Sequence, residues 1–127
     1  MPEAPDPNGP RRIIMSEFLY LYRGVERPAS AEQMQKQMQK WVAWMKELGD
    51  KGHIKDPGHP LEQTGKLVRG KVKTITDGPY AEAKDVVGGY TLVEARDLAH
   101  AAELSTGCPI FDMGGLVEIR PIMKMNL

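Results

Sequence analysis

A single cysteine, Cys108, excludes an internal disulfide framework, and together with eight methionines it suits a reducing compartment, so the cytoplasm is the expected location. No charge of one sign dominates. Seventeen Lys and Arg balance seventeen Asp and Glu, so there is no net field to gather nucleic acid or an anionic membrane, and direct nucleic-acid binding is not expected. No apolar run approaches the roughly twenty residues needed to cross a bilayer. The opening MPEAPDPNGPRR has four prolines in its first ten residues and lacks the apolar core of a secretory signal. It has too little to bury to offset its ordering entropy, so residues 1–14 are read as a disordered tail and 15–127 as one domain, long enough for a proper core. A Walker loop, a dinucleotide fingerprint and a serine nucleophile elbow are all missing, which leaves no sequence support for a nucleotide cofactor or for serine hydrolysis; no cofactor is expected.

What is present reads as alternating strands and helices. EFLYLYRG (17–24) is aromatic and aliphatic without a break, the profile of a strand buried on both faces, with Phe18, Tyr20 and Tyr22 pointing one way and Leu19 and Leu21 the other. The next segment opens on Ser30-Ala31-Glu32-Gln33, a capping box, and carries Met34, Met38, Trp41, Met45 and Leu48 at helical steps of three and four; that stripe is read as core, with Gly49 or Gly52 as the left-handed cap. HIKDPGHP (53–60) is a short strand breaking into a turn, and GKLVRGKVKTIT (65–76) a hairpin about Arg69-Gly70. GGYTLVEA is a strand, RDLAHAAELST a helix capped at Asp97, and GGLVEIRPIM a last strand with Val117 and Ile119 on one face.

This order predicts an α+β fold: the ferredoxin-like split βαβ antiparallel sheet with both helices on one face. Two helices shield one face of a sheet, so the second face, with Leu19 and Leu21, needs another cover. A second copy supplies it, and a homodimer enclosing a cavity, a dimeric α/β-barrel, is expected.

The most distinctive stretch is ITDGPYAEAKDVVGGY (75–90). Asp77-Gly78-Pro79 reads as a turn whose carboxylate caps amides two or three residues on, followed by a single helical turn, and Gly88-Gly89 as a bulge or a close backbone approach. In HIKDPGH, His53, Asp56 and His59 match no tight zinc spacing, and no metal is expected. Cys108 is read as packing.

TDGPYAEAKDVVGGYTLVEARDLAHAAEL and the later GCPIFDMGGLVEIRPI resemble the DGPF-domain branch of the YCII-related family, over Glu17 to Pro121, with Tyr80 where that branch more often has Phe. The resemblance implies the same dimeric α+β fold. It also implies a His–Asp pair of the kind suggested for enzymes of the wider family, and an association of some members with extracytoplasmic-function sigma factors. On this chain the histidine is taken from GHIKDPGH, His59 first and His53 second, and the acid is Asp77. His59 and Asp77 are the candidate proton carriers, with His53, Tyr80, Glu82 and Lys84 shaping the substrate site. The expected function is a cofactor-free isomerase- or lyase-type proton transfer on a small organic molecule in a dimer pocket. The alternative is a non-catalytic ligand-sensing or protein-interaction module linked to transcription.

Overall fold

The computed structural model describes residues 14–24, 30–79, 82 and 85–125. The expected N-terminal tail, but for Ile14, and the candidates Tyr80 and Lys84 lie outside them. In chain order the elements are β1 (Ser16–Arg23), α1 (Ala31–Asp50), β2 (Ile54–Asp56), β3 (Gly65–Arg69), β4 (Thr74–Gly78), β5 (Val87–Ala95), α2 (Leu98–Ser105), a 3₁₀ turn (Pro109–Met113) and β6 (Leu116–Pro121). Four strands form an antiparallel sheet in the order β2-β5-β1-β6, and β3 and β4 form a separate two-stranded ribbon. The fold is thus mixed α+β, an antiparallel sheet with two helices.

Strand β1 is central because its alternation serves both sides. Phe18, Tyr20 and Tyr22 are buried beside Thr91, Val93 and Ala95 of β5, whereas Leu19 and Leu21 on the opposite face are half-buried. Burial on both faces, expected from the sequence, is therefore complete on one face of the protomer and partial on the other. Tyr20 stacks on Trp44 of α1, with ring centroids 6.3 Å apart, Tyr22 meets Trp41 edge-on at 4.8 Å, and the Tyr20 hydroxyl donates to the Ala101 carbonyl of α2. Both helices thus lie on the Tyr20 face. Each aromatic contact of this kind adds about 0.5–1.5 kcal/mol to area burial.

Local chemistry sets the helix ends. Ser30 Oγ accepts from the Gln33 amide at 3.1 Å, Asp97 Oδ1 accepts from the His100 amide at 2.7 Å, and Gly52 just past α1 has φ +80°. The apolar stripe of α1 needs correction: Trp44 and Leu48 are buried and Trp41 and Met45 partly so, but Met34 and Met38 are 53% and 64% exposed. The reason is that the N-terminal half of this 20-residue helix meets the 3₁₀ turn through polar groups, Gln37 Nε2 donating to the Pro109 carbonyl and Lys40 pairing with Asp112. Its apolar side chains there have no sheet beneath them.

Gly70 has the expected positive φ, +70°, but the ribbon's turn is not the tight one about Arg69-Gly70: it spans Gly70 to Lys73, itself at φ +57°, because Arg69 is still paired with Thr74. Its cross-strand pairs include Lys66 opposite Asp77 and Val68 opposite Ile75. Asp77 and Gly78 belong to β4, and Asp77 pairs with Lys66. Of the amides two and three residues on, position 79 is a proline without an N–H and Tyr80 lies outside the described residues, so the expected cap falls outside them as well. The helical turn expected over 79–85 falls largely outside the described residues; at its end the Asp85 amide donates to the Glu82 carbonyl at 2.8 Å.

Candidate functional site

His59 lies on a connection held at several points. The Asp56 carboxylate accepts from the Gly58 amide at 2.8 Å, closing an Asx turn, and Thr91 Oγ1 donates to the Pro57 carbonyl at 2.9 Å while accepting from the Tyr22 hydroxyl at 2.7 Å. Further along, the Leu61 amide donates to the Gly88 carbonyl at 2.8 Å, and Pro60 bridges Gly89. Two glycines permit this approach. A Cβ on Gly58, whose φ is +70°, would lie 1.8 Å from the Tyr90 carbonyl oxygen, and one on Gly89 would lie 3.1 Å from that of His59. Gly88 is skipped in the β1–β5 register, where Tyr22 faces Gly89 and Arg23 faces Val87, so the dipeptide is both bulge and close approach. The turn expected after the short strand at His53 is thus held along its length. Its backbone polar groups bond to β5 and its own carboxylate.

The His59 ring meets the Tyr90 ring edge-on, centroids 6.3 Å apart. Tyr90 is opposite Leu21 and, with Leu92 and Leu19, forms the apolar floor of the face that, among the described residues, no helix covers. Charges border this floor. On one side Arg23 Nε donates to Glu118 Oε1 at 3.0 Å, with Arg120 at 3.5 Å from the same carboxylate, and Arg23 Nη1 also donates to the Asp85 carbonyl. On the other, Glu17 and Glu94 face each other directly and share Lys55, at 3.9 and 3.7 Å. Two carboxylates placed opposite each other repel, and one half-exposed lysine at those distances offsets that only in part. An imidazole and a phenol beside an apolar floor can hold a small organic molecule and exchange a proton with it.

The other candidates fall elsewhere. Asp77 pairs with Lys66 on the ribbon, 87% exposed, and the described contacts of Asp77 and His59 do not include each other. His53 Nδ1 is 2.9 Å from the Glu94 carbonyl, so that nitrogen donates, and its ring packs edge-on against His100 of α2 at 5.2 Å. His53 therefore belongs to the helix side, by a cleft of about 370 Å³ lined by Trp44, Lys51, Arg96 and His100 among others. Glu82 is exposed. Among the described residues no three metal-ligating side chains cluster. Sequence reading missed Tyr90, Thr91 and Arg23; the signal for the first two was the β1–β5 register, which sets Tyr90 opposite Leu21 and Thr91 opposite Tyr20 once the strands are paired.

Two titrations follow from burial. Desolvation pushes the Cys108 thiol up to about 12, consistent with a packing role. His100 is lowered from its ordinary value, first by desolvation, then by Arg96 and His53, and its Nδ1 already accepts from the Arg96 amide at 3.1 Å. Asp97 and Glu103 oppose that shift without reversing it. A folded-state value below the unfolded one means that the unfolded chain binds more protons, so this contribution is complete above about pH 6.5 and lost as pH falls through the folded value. Thermal midpoints between pH 7.5 and 5 are expected to decline less steeply in His100→Gln than in the parent chain, and equal slopes would sink this reading.

Antiparallel sheet, two helices on one face and a half-covered floor on the other define a small mixed α+β protein. The chain belongs to the YCII-related domain family, whose match covers residues 18–126. Among solved structures it is similar to 5-chloro-2-hydroxyhydroquinone dehydrochlorinase (TftG) from Burkholderia phenoliruptrix AC1100, in complex with 2,5-dihydroxybenzoquinone, at 22% identity and a TM-score of 0.43, over 80% of this chain and 90% of that one. A comparison with curated proteins finds no match. Among the described residues no helix is long and apolar enough to cross a membrane.

Proposed function

We propose that this protein is a cofactor-free catalyst of proton transfer, of isomerase or lyase type, acting on a small organic molecule held in a pocket between the sheet face opposite the helices and the second copy of a cytoplasmic homodimer. The observation that carries this is His59, whose backbone is held close to β5 at Gly58 and Gly89 and whose imidazole lies beside Tyr90 at the edge of an apolar floor. An imidazole carried on a backbone held in this way suits general acid–base work. The strand order supports the ferredoxin-like reading, with the ribbon as an insertion between its second and third sheet strands, and the half-buried Leu19, Leu21 and Leu92 support cover by a second copy. Asp77 is the second proton carrier, and Arg23 is the group placed to orient an anionic or carbonyl oxygen.

The test is solvent-deuterium incorporation, read by NMR, into a panel of enolisable ketones and keto acids. His59→Ala is expected to lower exchange at least a hundredfold, as is Asp77→Asn. Because Asp77 and Lys66 form an exposed pair, Asp77→Asn should move stability by less than about 1 kcal/mol. Exchange at the parent rate in both variants would remove the catalytic reading.

A non-catalytic module, ligand-sensing or protein-binding and linked to sigma-factor regulation, has one observation of its own in favour. Met34, Met38 and Val42 leave 53%, 64% and 66% of their surfaces exposed along α1, more than a helix built only for its own core needs. Parent protein that exchanges deuterium with nothing in the panel would shift the balance to this reading.

A further inference from the structure

The ribbon β3–β4 is an arm in search of a cover. Its substantial packing is of one strand on the other, yet Val68, Val72 and Ile75 are 62%, 86% and 66% exposed, and an isolated two-stranded ribbon is at best marginally stable in water. It is also the basic part of the molecule. Lys66, Arg69, Lys71 and Lys73 stand against Asp77 alone, so four of the seventeen cations and one of the seventeen anions lie on it, and the rest of the chain keeps thirteen cations and sixteen anions.

The uncovered sheet face presents the complement in matching order. Along β5 the side chains on that face are Glu94, Leu92 and Tyr90, two residues apart, with His59 beside Tyr90. Along the arm, on the face shared by the Val68–Ile75 and Lys66–Asp77 pairs, the tip lysines are followed by Ile75 and then Asp77, also two apart. From Ile75 to Asp77, and from Leu92 to Tyr90, the separation is two residues, about 7 Å in each case at the rise of an extended strand, and the tip with Lys73, at φ +57°, lies beyond Ile75 as Glu94 lies beyond Leu92. Laid along that face, the arm would set a cation against the Glu17–Glu94 pair, an apolar pair against Leu92 and Leu19, and a carboxylate against an imidazole.

We infer that the arm of one copy lies across the uncovered sheet face of a second, so that the His59–Asp77 pair is completed between copies: each site takes its imidazole from one chain and its carboxylate from the arm of the other. This accounts for two groups that share no contact within a protomer. It rests on the proposed covering of that face by a second copy and adds what does the covering.

The test uses introduced thiols, with Cys108 as a bystander because it is buried and its thiol is pushed up to about 12. His59→Cys and Asp77→Cys chains are produced singly, refolded together and oxidised with diamide, which takes up the two thiol hydrogens. The expected product is a disulfide-linked pair containing one chain of each kind, formed at least tenfold faster than any linked pair from either variant alone. In a second measurement, Val68→Asp with Ile75→Asp, both exposed in the protomer, should raise the dimer dissociation constant tenfold or more. A dimer by light scattering that gives no mixed product overturns the arm placement but leaves a covered face. A monomer throughout overturns both. Closure within one chain carrying both cysteines, at monomer mass, shows that the pair is made in cis and overturns the exchange.

Discussion

Gly58→Ala is expected to reduce the free energy of unfolding by about 3–5 kcal/mol, at the upper end of single-site effects. Two separate penalties combine. A φ of +70° costs an alanine roughly 1–2 kcal/mol. The added Cβ would also lie 1.8 Å from the Tyr90 carbonyl oxygen and 2.7 Å from its carbon. These are backbone atoms of β5, a strand paired on both sides, so they cannot swing aside as a flexible side chain would. Either the whole domain loses stability or residues 56–60 detach from β5 and carry His59 away from Tyr90. Urea denaturation followed by circular dichroism distinguishes these from tolerance, and a change below about 1 kcal/mol would show that the connection is not held as described.

Thr91→Val should cost about 2–4 kcal/mol, although it preserves shape. The Thr91 hydroxyl, 1% exposed, accepts from the Tyr22 hydroxyl and donates to the Pro57 carbonyl, so its loss leaves two groups unpaired. Burial already raises Tyr22 well above the ordinary phenol value, a sign of how poorly that hydroxyl reaches water. Tyr22→Phe in the Thr91→Val background removes one of the stranded groups, so the double variant should be more stable than the sum of the singles implies, by about 1 kcal/mol. Strict additivity in thermal or urea unfolding would mean that the three groups do not act as a chain. Because Pro57 is two residues from His59, the same variant should also loosen the candidate site, and the fall in deuterium exchange should accompany the fall in stability.

Several elements could be read directly from residues near one another in the chain. Ser30 and Asp97 cap their helices, Gly70 takes a positive φ in the ribbon's turn, and Val117 and Ile119 share the face of β6 that meets Tyr22 and Tyr20. Gly88-Gly89 was legible as a bulge or close approach, but not what approaches: that the backbone of His59 and Pro60 lies against it depends on residues thirty places earlier. The α1 stripe misled for a related reason. Helical spacing shows which residues share a face, not how far along the helix its support extends, and Met34 and Met38 lie beyond it.

By itself the sequence determined the kinds of element, their order, the alternation of β1 and the caps, because hydrogen bonds and side-chain periodicity within a few residues decide these. Only the tertiary structure decided that His53 turns to α2 while His59 turns to Tyr90, that Asp77 stands in a ribbon opposite Lys66, and that Tyr22, Thr91 and Pro57 form one chain of hydrogen bonds. Each of these depends on register between strands far apart in the chain, where a shift of one residue would send every side chain to the opposite face.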